Sequence, residues 1–316
     1  MTYSSGSTIL AADYNTFVTA ATNSLNGVGN TYGQTPVAAA SAGGTITATQ
    51  WATLVNTLTN YGAHTNTTLT SRTAPVAGNT ISILANVQTD LNNTYTNRWN
   101  AATVGATFTG WTGTNSKTAA TGAGTWTITI TNTVSFANAT AANSFFGAGG
   151  VVKIVSSKTA TGATGDPPWN ALATSMGNIF ITAGNASVAS QTIAGVTYTG
   201  VTKTGGSGTP SVNLTGNGFN NLVAGAAATN VYQLASPTAP YTADFIRYSL
   251  AKSADGANLI ITALWSGNDG DPISGGTAAS GATPGTAPCT IVTFTYPEST
   301  NIANTWGSAT IAATTV

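Results

Sequence analysis

Charge is what this sequence has least of. Of its 316 residues, 8 are Lys or Arg and 8 are Asp or Glu, so 5% of the chain is charged, where about 25% is usual. Nucleic-acid binding needs clustered Lys and Arg to neutralise phosphates, so the composition argues against a nucleic-acid partner. A net charge also keeps free proteins dispersed. Its absence here suits a protein that is fixed in an assembly or exposed outside cells.

Residues that commonly carry chemistry are also scarce. The single cysteine, Cys289, has no partner for an internal disulfide, and its strand-like neighbours predict a buried structural thiol. The single histidine, His64, has no His, Cys or acidic cluster near it in sequence, so we expect a polar residue near a helix end. We therefore predict a non-enzymatic protein with no catalytic residues, no cofactor and no metal site.

Long apolar segments are missing as well. No run of about 18 apolar residues occurs, so we expect no membrane insertion. The first residues, Met1–Gly6, have neither a basic nor an apolar segment of the kind found in secretory signals, so we expect none. The chain does contain 7 Trp, 10 Tyr and 9 Phe within 41% hydrophobic residues. This is enough apolar surface to predict a folded core and not a disordered chain.

The first hundred residues contain a repeat that indicates helices. The pattern G-x-T-I occurs at 6–9, 43–46 and 78–81, and apolar residues at helical spacing follow each copy. We predict three helices that pack together or onto a partner, separated by loops at 27–42 and 62–78. The three apolar stripes are Tyr14, Phe17, Val18, Ala21 and Leu25; Trp51, Leu54, Val55, Leu58 and Tyr61; and Ile81, Leu84, Val87, Leu91 and Tyr95.

The second copy carries the clearest helix start. Thr47 and Gln50 have the spacing of a capping box, in which each side chain bonds a backbone N–H of the first turn. Ile46 and Trp51 occupy the two positions of a hydrophobic staple.

Four charged residues precede position 117, and in so neutral a chain we expect most of them to form specific ion pairs or caps. They are Asp13, Arg72, Asp90 and Arg98.

From about Phe108 the periodicity changes to that of strands. Residues 125–131 alternate Thr with an apolar residue, as a half-buried strand does. Many strands without long helices between them favour an antiparallel sandwich. We predict an α+β fold with a helical attachment or oligomerisation region at 1–104 and a jelly-roll-like β-sandwich domain at 105–316. Further strands are predicted at 151–155, 179–182, 191–202, 232–234, 244–252, 258–265 and 290–296, and a short helix at 166–177.

The stretch from 143 to 157 is rich in glycine. Gly149 and Gly150 predict a turn with positive φ between two core strands. No Gly-Lys-Ser/Thr follows, so a phosphate-binding loop is not expected. We predict that the neighbouring apolar residues pack in the core: Phe145, Phe146, Val152 and Ile154.

Three groups of residues are candidates for binding or catalysis. Asp269 and Asp271 alternate as in a loose calcium loop, but an acidic β-turn is the simpler interpretation because no bidentate Glu follows. The second group is a set of scattered acids that folding could pair into a depolymerase site: Asp166, Asp244, Asp255 and Glu298. The third consists of candidate stacking faces for sugars, which we expect to be core residues: Trp111, Trp126, Trp169, Trp265 and Trp306.

Four groups of motifs are spread over most of the chain. They are Ser7–Asn15 with Tyr32–Gln34, Ile46–Trp51, Phe145–Ile154 with Trp169 and Met176–Ile179, and Leu259–Trp265 with Asn268–Asp271. Together they resemble virion structural proteins of tailed bacteriophages, of the cyanophage and aquatic-phage type. The pattern departs at Gly147 and Val152, where an Asn or Asp and a basic residue are usual in the family. The resemblance supplies no catalytic residues.

The resemblance implies a structural component of the virion, assembled in the bacterial host cytoplasm. We expect it to be tail-associated, as a fibre, tail tip or baseplate protein, with other virion proteins and further copies of itself as partners. A capsid decoration or head fibre protein is the alternative. A carbohydrate-binding module that contacts host-surface glycans is a third, and a depolymerase is a fourth.

Overall fold

The computed structural model describes residues 10–19, 23–77, 86–109, 125–158, 166–184, 190–237, 239, 241–268 and 288–315. Within these ranges the chain begins with helices and continues mainly as strands. None of the helices described there combines the length and apolar character needed to cross a membrane. The helices are α1 (Ala11–Thr19), α2 (Leu25–Thr31), α3 (Ala48–Thr65), α4 (Val87–Thr96), α5 (Ala139–Gly147) and α6 (Asp166–Met176).

The strands form two large sheets and one small hairpin. Their bounds are β1 (Val104–Thr109), β2 (Trp126–Ser135), β3 (Val151–Lys158), β4 (Asn178–Ile181), β5 (Gln191–Ile193), β6 (Val196–Tyr198), β7 (Val201–Thr204), β8 (Val212–Asn213), β9 (Thr229–Ala235), β10 (Phe245–Lys252), β11 (Asn258–Gly267), β12 (Pro288–Pro297) and β13 (Thr310–Thr315). A five-stranded sheet has the order β1-β12-β3-β4-β7, and a six-stranded sheet has the order β13-β2-β11-β10-β9-β8.

The two sheets enclose one hydrophobic core. Their strands pair antiparallel, and α6 packs against β3 of one sheet and β9 and β10 of the other. Between the sheets, Ser156 of β3 and Tyr248 of β10 share a hydrogen bond through their hydroxyl groups. The predicted α+β class with an antiparallel sandwich is confirmed.

Strand β2 shows how the sequence sets the inner face. Ile128, Ile130 and Val134 are fully buried, whereas the Thr residues between them are half-buried. This is the burial that two-residue alternation predicts. Asn132 also faces inward with no hydrogen-bond partner for its amide, a cost to stability that the structure does not explain.

The helical repeat brings its equivalent aromatic residues together. Tyr14 of α1 and Trp51 of α3 are fully buried and meet edge to face, with ring centroids 5.3 Å apart. The Tyr14 hydroxyl donates to the Gln50 carbonyl oxygen over 3.2 Å. The predicted capping box of Thr47 and Gln50 is confirmed. The repeated stripes therefore form one shared helix core.

The prediction of a loop at 27–42 was wrong at its start. The chain leaves α1 at Thr19 and begins α2 at Leu25, with the Ser24 side chain capping the new helix. Helix α2 packs against α1, α3, α4 and α5, so it is the centre of the helical region. Its glycines misled the prediction because glycine disfavours helices. A Cβ on Gly29 would lie 2.7 Å from the Tyr61 hydroxyl, so close packing requires glycine there.

The third predicted helix is observed only in part. Helix α4 begins at Val87, and Val87 and Leu91 of the predicted stripe are fully buried. Ile81 and Leu84 lie outside the described residues, as does Ala21 of the first stripe.

Two strand predictions also needed correction. Phe145 and Phe146 lie in α5, so the glycine turn joins a helix to β3 and does not join two strands. The predicted strand at 191–202 is three short strands, β5 to β7, interrupted by turns at 194–195 and 199–200. Strand β13 was not predicted, because its small residues show little apolar alternation.

The glycine turn yields the first prediction. Gly149 has a φ of +92°, and a Cβ on Gly150 would lie 2.5 Å from the Phe145 ring and 2.6 Å from the Phe145 carbonyl oxygen. We expect Gly150→Ala to lower the free energy of unfolding by about 2 kcal/mol, because a methyl group there is overpacked. Replacing Gly149 and Gly150 together with Val should prevent folding. Urea unfolding monitored by circular dichroism measures both effects.

Gly307→Ala is the matched control for the Gly150 variant. Gly307 has a positive φ of +67° but open space around it, so it reports backbone strain without a clash. Its cost should be about 1 kcal/mol. An unchanged unfolding midpoint for Gly150→Ala would contradict the steric argument.

Candidate functional site

The histidine lies where the helices meet the sandwich. His64 is in the last turn of α3, which ends at Asn66 in the left-handed conformation with a φ of 56°. The His64 side chain is completely buried. Its backbone carbonyl accepts a 2.6 Å hydrogen bond from the Ala102 N–H, just before β1.

Glu298 reaches His64 from the other end of the chain. It follows β12 directly, and its Oε1 lies 2.8 Å from the His64 Nδ1. Because a carboxylate only accepts hydrogen bonds, the Nδ1 of His64 carries a hydrogen atom and is the donor of this hydrogen bond. The Glu298 Oε2 accepts from the backbone N–H groups of Thr300, at 2.6 Å, and Asn301, at 3.0 Å. The two carboxylate oxygens of Glu298 are therefore both bound inside the protein.

These bonds decide the protonation state of Glu298. Burial opposes ionisation and raises the pKa, but hydrogen bonds from His64, Asn301 and Thr300 outweigh it. The pKa of the Glu298 carboxyl falls from its ordinary value of 4.5 to about 2. Glu298 is consequently a carboxylate at neutral pH, held by three partners.

Further contacts join the same two parts of the chain. The Gln34 amide forms a reciprocal pair with Ala303, donating to its carbonyl over 2.9 Å and accepting from its N–H over 2.8 Å. The Tyr32 ring meets the His64 ring edge to face at 4.8 Å between centroids. We call Tyr32, Gln34, His64, Glu298 and Ala303 the helix–sandwich joint.

The chemistry of the joint favours a structural role. An imidazole beside a carboxylate can move a proton, but the His64 and Glu298 side chains are 0% and 5% exposed, so a substrate does not reach them. The His64 Nε2 and the Tyr32 hydroxyl have no hydrogen-bond partner, and burial raises the pKa of Tyr32 well above its ordinary value. Across the described ranges, no three His, Cys, Asp or Glu side chains are grouped to hold a metal ion.

The expectation for His64 was therefore only half right. It is near a helix end, as predicted, but it is a buried partner of an acid 234 positions away and not a simple polar residue. The only signal for this pair in the sequence was the scarcity of charge, which led us to expect that the few charged residues form specific pairs.

That reasoning succeeded for the charged residues of the helical region. Arg72 Nη2 lies 2.5 Å from Asp90 Oδ2, with both side chains buried. Asp90 also accepts from the Thr70 N–H over 3.1 Å. Asp13 accepts from the Leu10 N–H at the start of α1, and Arg98 lies 3.8 Å from the centroid of the Tyr95 ring. The prediction is confirmed for Arg72 and Asp90, which form an ion pair, and for Asp13, which caps α1.

The candidate tryptophan side chains that the structure describes offer little to a sugar. Trp169, Trp265 and Trp306 are at most 2% exposed, so they are core residues and not stacking faces. Trp169 and Trp265 pack against each other at 5.7 Å between ring centroids. Trp111 and the side chain of Trp126 lie outside the described residues.

The candidate acids serve local structure. The buried Asp244 accepts from the Asn268 N–H over 2.7 Å, and Asp255 bonds the Ser253 hydroxyl and the Ala257 N–H within its own turn. With Glu298 bound to His64, each of these three acids is engaged in hydrogen bonds of the fold. The remaining candidates fall outside the described residues: Asp269, Asp271 and the side chains of Asp166 and Cys289.

One small pocket lies beside the β5–β6 hairpin. It encloses about 190 Å³ of space partly open to solvent and is lined by residues that include Trp99, Gln191, Tyr198 and Gly200. Trp99 Nε1 and Gln191 Oε1 lack hydrogen-bond partners, but both atoms are shielded from solvent. A ligand in the pocket would not reach them unless the wall moved, so we assign no ligand to it.

Comparison of the chain with protein-family models, curated proteins and solved structures found no match.

The joint yields a pH-dependent prediction. Because the pKa of Glu298 is depressed, its contribution to stability is complete above its unfolded-state value of 4.5 and is lost as pH falls toward about 2. Glu298→Gln puts an amide NH2 against N–H donors and should cost about 3 kcal/mol at pH 7. The difference between wild type and variant should shrink as pH falls from 4.5 to 2. Urea unfolding at several pH values measures it.

Asp255→Asn is the control for this series, since it is the same change in an exposed carboxylate with only local bonds. It should alter the unfolding midpoint little at pH 7. A Glu298→Gln variant as stable as wild type at pH 7 would show that the joint contributes nothing.

The second buried pair yields a double-mutant cycle. Arg72→Met and Asp90→Asn should each destabilise the protein, and together they should cost about 2 kcal/mol less than the sum, because each single change leaves a buried charge without its partner. Chemical denaturation provides the four free energies. Arg72→Met combined with Asp255→Asn should be additive, and additivity for Arg72 with Asp90 would refute the pairing energy.

Proposed function

We propose that this chain is a structural component of a bacteriophage particle, associated with the tail as part of a fibre, tail tip or baseplate. Its partners are other virion proteins and further copies of itself, and it is assembled into the virion in the bacterial host cytoplasm. The helical region attaches the protein, and the sandwich faces outward. The proposal rests on the sequence resemblance and on the distribution of charged side chains between the interior and the surface.

The distribution of charge is the observation that carries the proposal. Among the charged side chains that the structure describes, Asp255 alone is fully exposed. Arg72, Asp90, Asp244 and Glu298 are buried in ion pairs or hydrogen bonds. The other described charged side chains are half-buried, so little charge is fully exposed on the described surface. A surface with so little charge lacks the repulsion that keeps abundant free proteins apart, and it suits a protein held among neighbours.

The joint supports the same proposal. A particle protein has to transmit force between its attachment region and its outer region without separating. Here the buried pair of His64 and Glu298 and the exposed pair of Gln34 and Ala303 connect the helices to the sandwich. Contact with a host-surface glycan remains a prediction with no assigned stacking residue, because Trp169, Trp265 and Trp306 are core residues.

Mass spectrometry of purified particles tests the proposal. The protein should be present at a fixed copy number after gradient purification, and immunogold labelling should place it on the tail. Labelling of the head would replace the tail assignment with that of a capsid decoration or head fibre protein. Absence of the protein from particles whose genome encodes it would end the proposal.

A further inference from the structure

The two large sheets have four edge strands, and one of them lacks the features that protect the other three from pairing. The edges are β1 and β7 in one sheet and β13 and β8 in the other. An edge strand presents unpaired N–H and C=O groups to any strand that approaches, so proteins commonly protect such edges with charge, proline, bulges or short length.

Three of the edges carry such protection. Strand β8 has only two residues. Strand β7 contains Lys203 and runs into Gly205 and Gly206, both with a φ of +67°. The pairing of β1 with β12 is irregular between Val104 and Thr107. None of these edges is a long, regular and uncharged template within the described residues.

Strand β13 has none of these protections. Its six residues, Thr310–Thr315, include no charge, proline or glycine. They pair with β2 in unbroken register from Thr310 opposite Ser135 to Thr315 opposite Ile130. All its side chains except that of Ile311 are small, and those of Thr310, Ala312 and Thr314 are exposed. Among the described residues, no strand pairs with β13 on the side away from β2, so another strand can approach there to the ordinary spacing of about 4.8 Å.

The sequence of β13 suits pairing with itself. A two-fold axis perpendicular to the sheet sets two β13 strands antiparallel and keeps their inner faces on the same side. Residues of one face then oppose each other. With the axis at Ala313, Ala312 opposes Thr314 and Ile311 opposes Thr315 of the other copy. No like charges meet at this seam, which removes the usual penalty for pairing identical strands.

We propose that two copies of this chain associate through antiparallel pairing of their β13 strands, which joins their six-stranded sheets into one continuous sheet. The second copy is the fitting occupant because antiparallel self-pairing of this edge brings no charged side chains together along its whole length. This inference rests on the edge geometry alone. If no dimer is found, the proposed place in a phage particle is unaffected. If the protein is absent from particles, the dimer proposal is likewise unaffected.

Sedimentation and light scattering of the purified full chain over a concentration series test the proposal. The wild type should show a reversible species of twice the 31.4 kDa chain mass. Ala312→Lys places like charges at the seam and should raise the dimer dissociation constant at least about tenfold. Ala226→Lys is the matched control, since it is the same substitution at an exposed alanine. Ala226 lies in the loop before β9, which is at the opposite side of the sheet from β13. Ala226→Lys should leave the dimer unchanged.

A second measurement covers the case in which Ala312→Lys does not fold. In a Cys289→Ser background, Ala313→Cys should form a dimer through a disulfide under mild oxidation, because Ala313 lies at the two-fold axis and opposes its own copy. Ala312→Cys tests the alternative register, in which the axis lies at Ala312. Ala226→Cys should remain a monomer under the same conditions. A wild type that is monomeric at all concentrations, a dimer that persists in folded Ala312→Lys, or the absence of a cross-link at both positions would overturn the proposal.

Discussion

The buried contact between His64 and Glu298 is the interaction on which the arrangement of this protein depends. It joins the last turn of α3 to the segment after β12, which are separated by 234 positions in sequence. Around it, Gln34 and Ala303 bond each other, and Tyr32 packs on the imidazole. A carboxylate in such a place is costly unless its oxygens are bound, and here His64, Thr300 and Asn301 bind them. The helices are thereby fixed to one end of the sandwich.

The small number of charged residues affects both this joint and the protein surface. A chain with 8 basic and 8 acidic residues has few to place, and several of them are used inside the fold. Arg72 and Asp90 fix the segment after α3 to α4 as His64 and Glu298 fix α3 to the sandwich. The surface that results is polar but almost uncharged, and the β13 edge shares this character. Copies of such a chain repel each other weakly, and this is the physical basis for proposing that the chain belongs to an assembly.

Local signals in the sequence predicted most of the fold. The capping box at Thr47 and the alternation in β2 are short-range patterns, and both are confirmed. Helix α2 was missed because its glycines are explained only by the nearby Tyr61, a tertiary contact. The joint could not be predicted because no local pattern pairs His64 with Glu298. The division at residue 104 remains a prediction, although the hydrogen bonds of His64 to Glu298 and of Gln34 to Ala303 cross it.

Differential scanning calorimetry of the full chain tests most directly whether helices and sandwich form one unit around this joint. The shared core predicts a single transition at pH 7, with a calorimetric enthalpy equal to the van't Hoff enthalpy. Two separable transitions, or a van't Hoff enthalpy well below the calorimetric value, would contradict the account. In that case the helices would melt independently of the sandwich, and the pair of His64 and Glu298 would be a contact between two domains and not the centre of one.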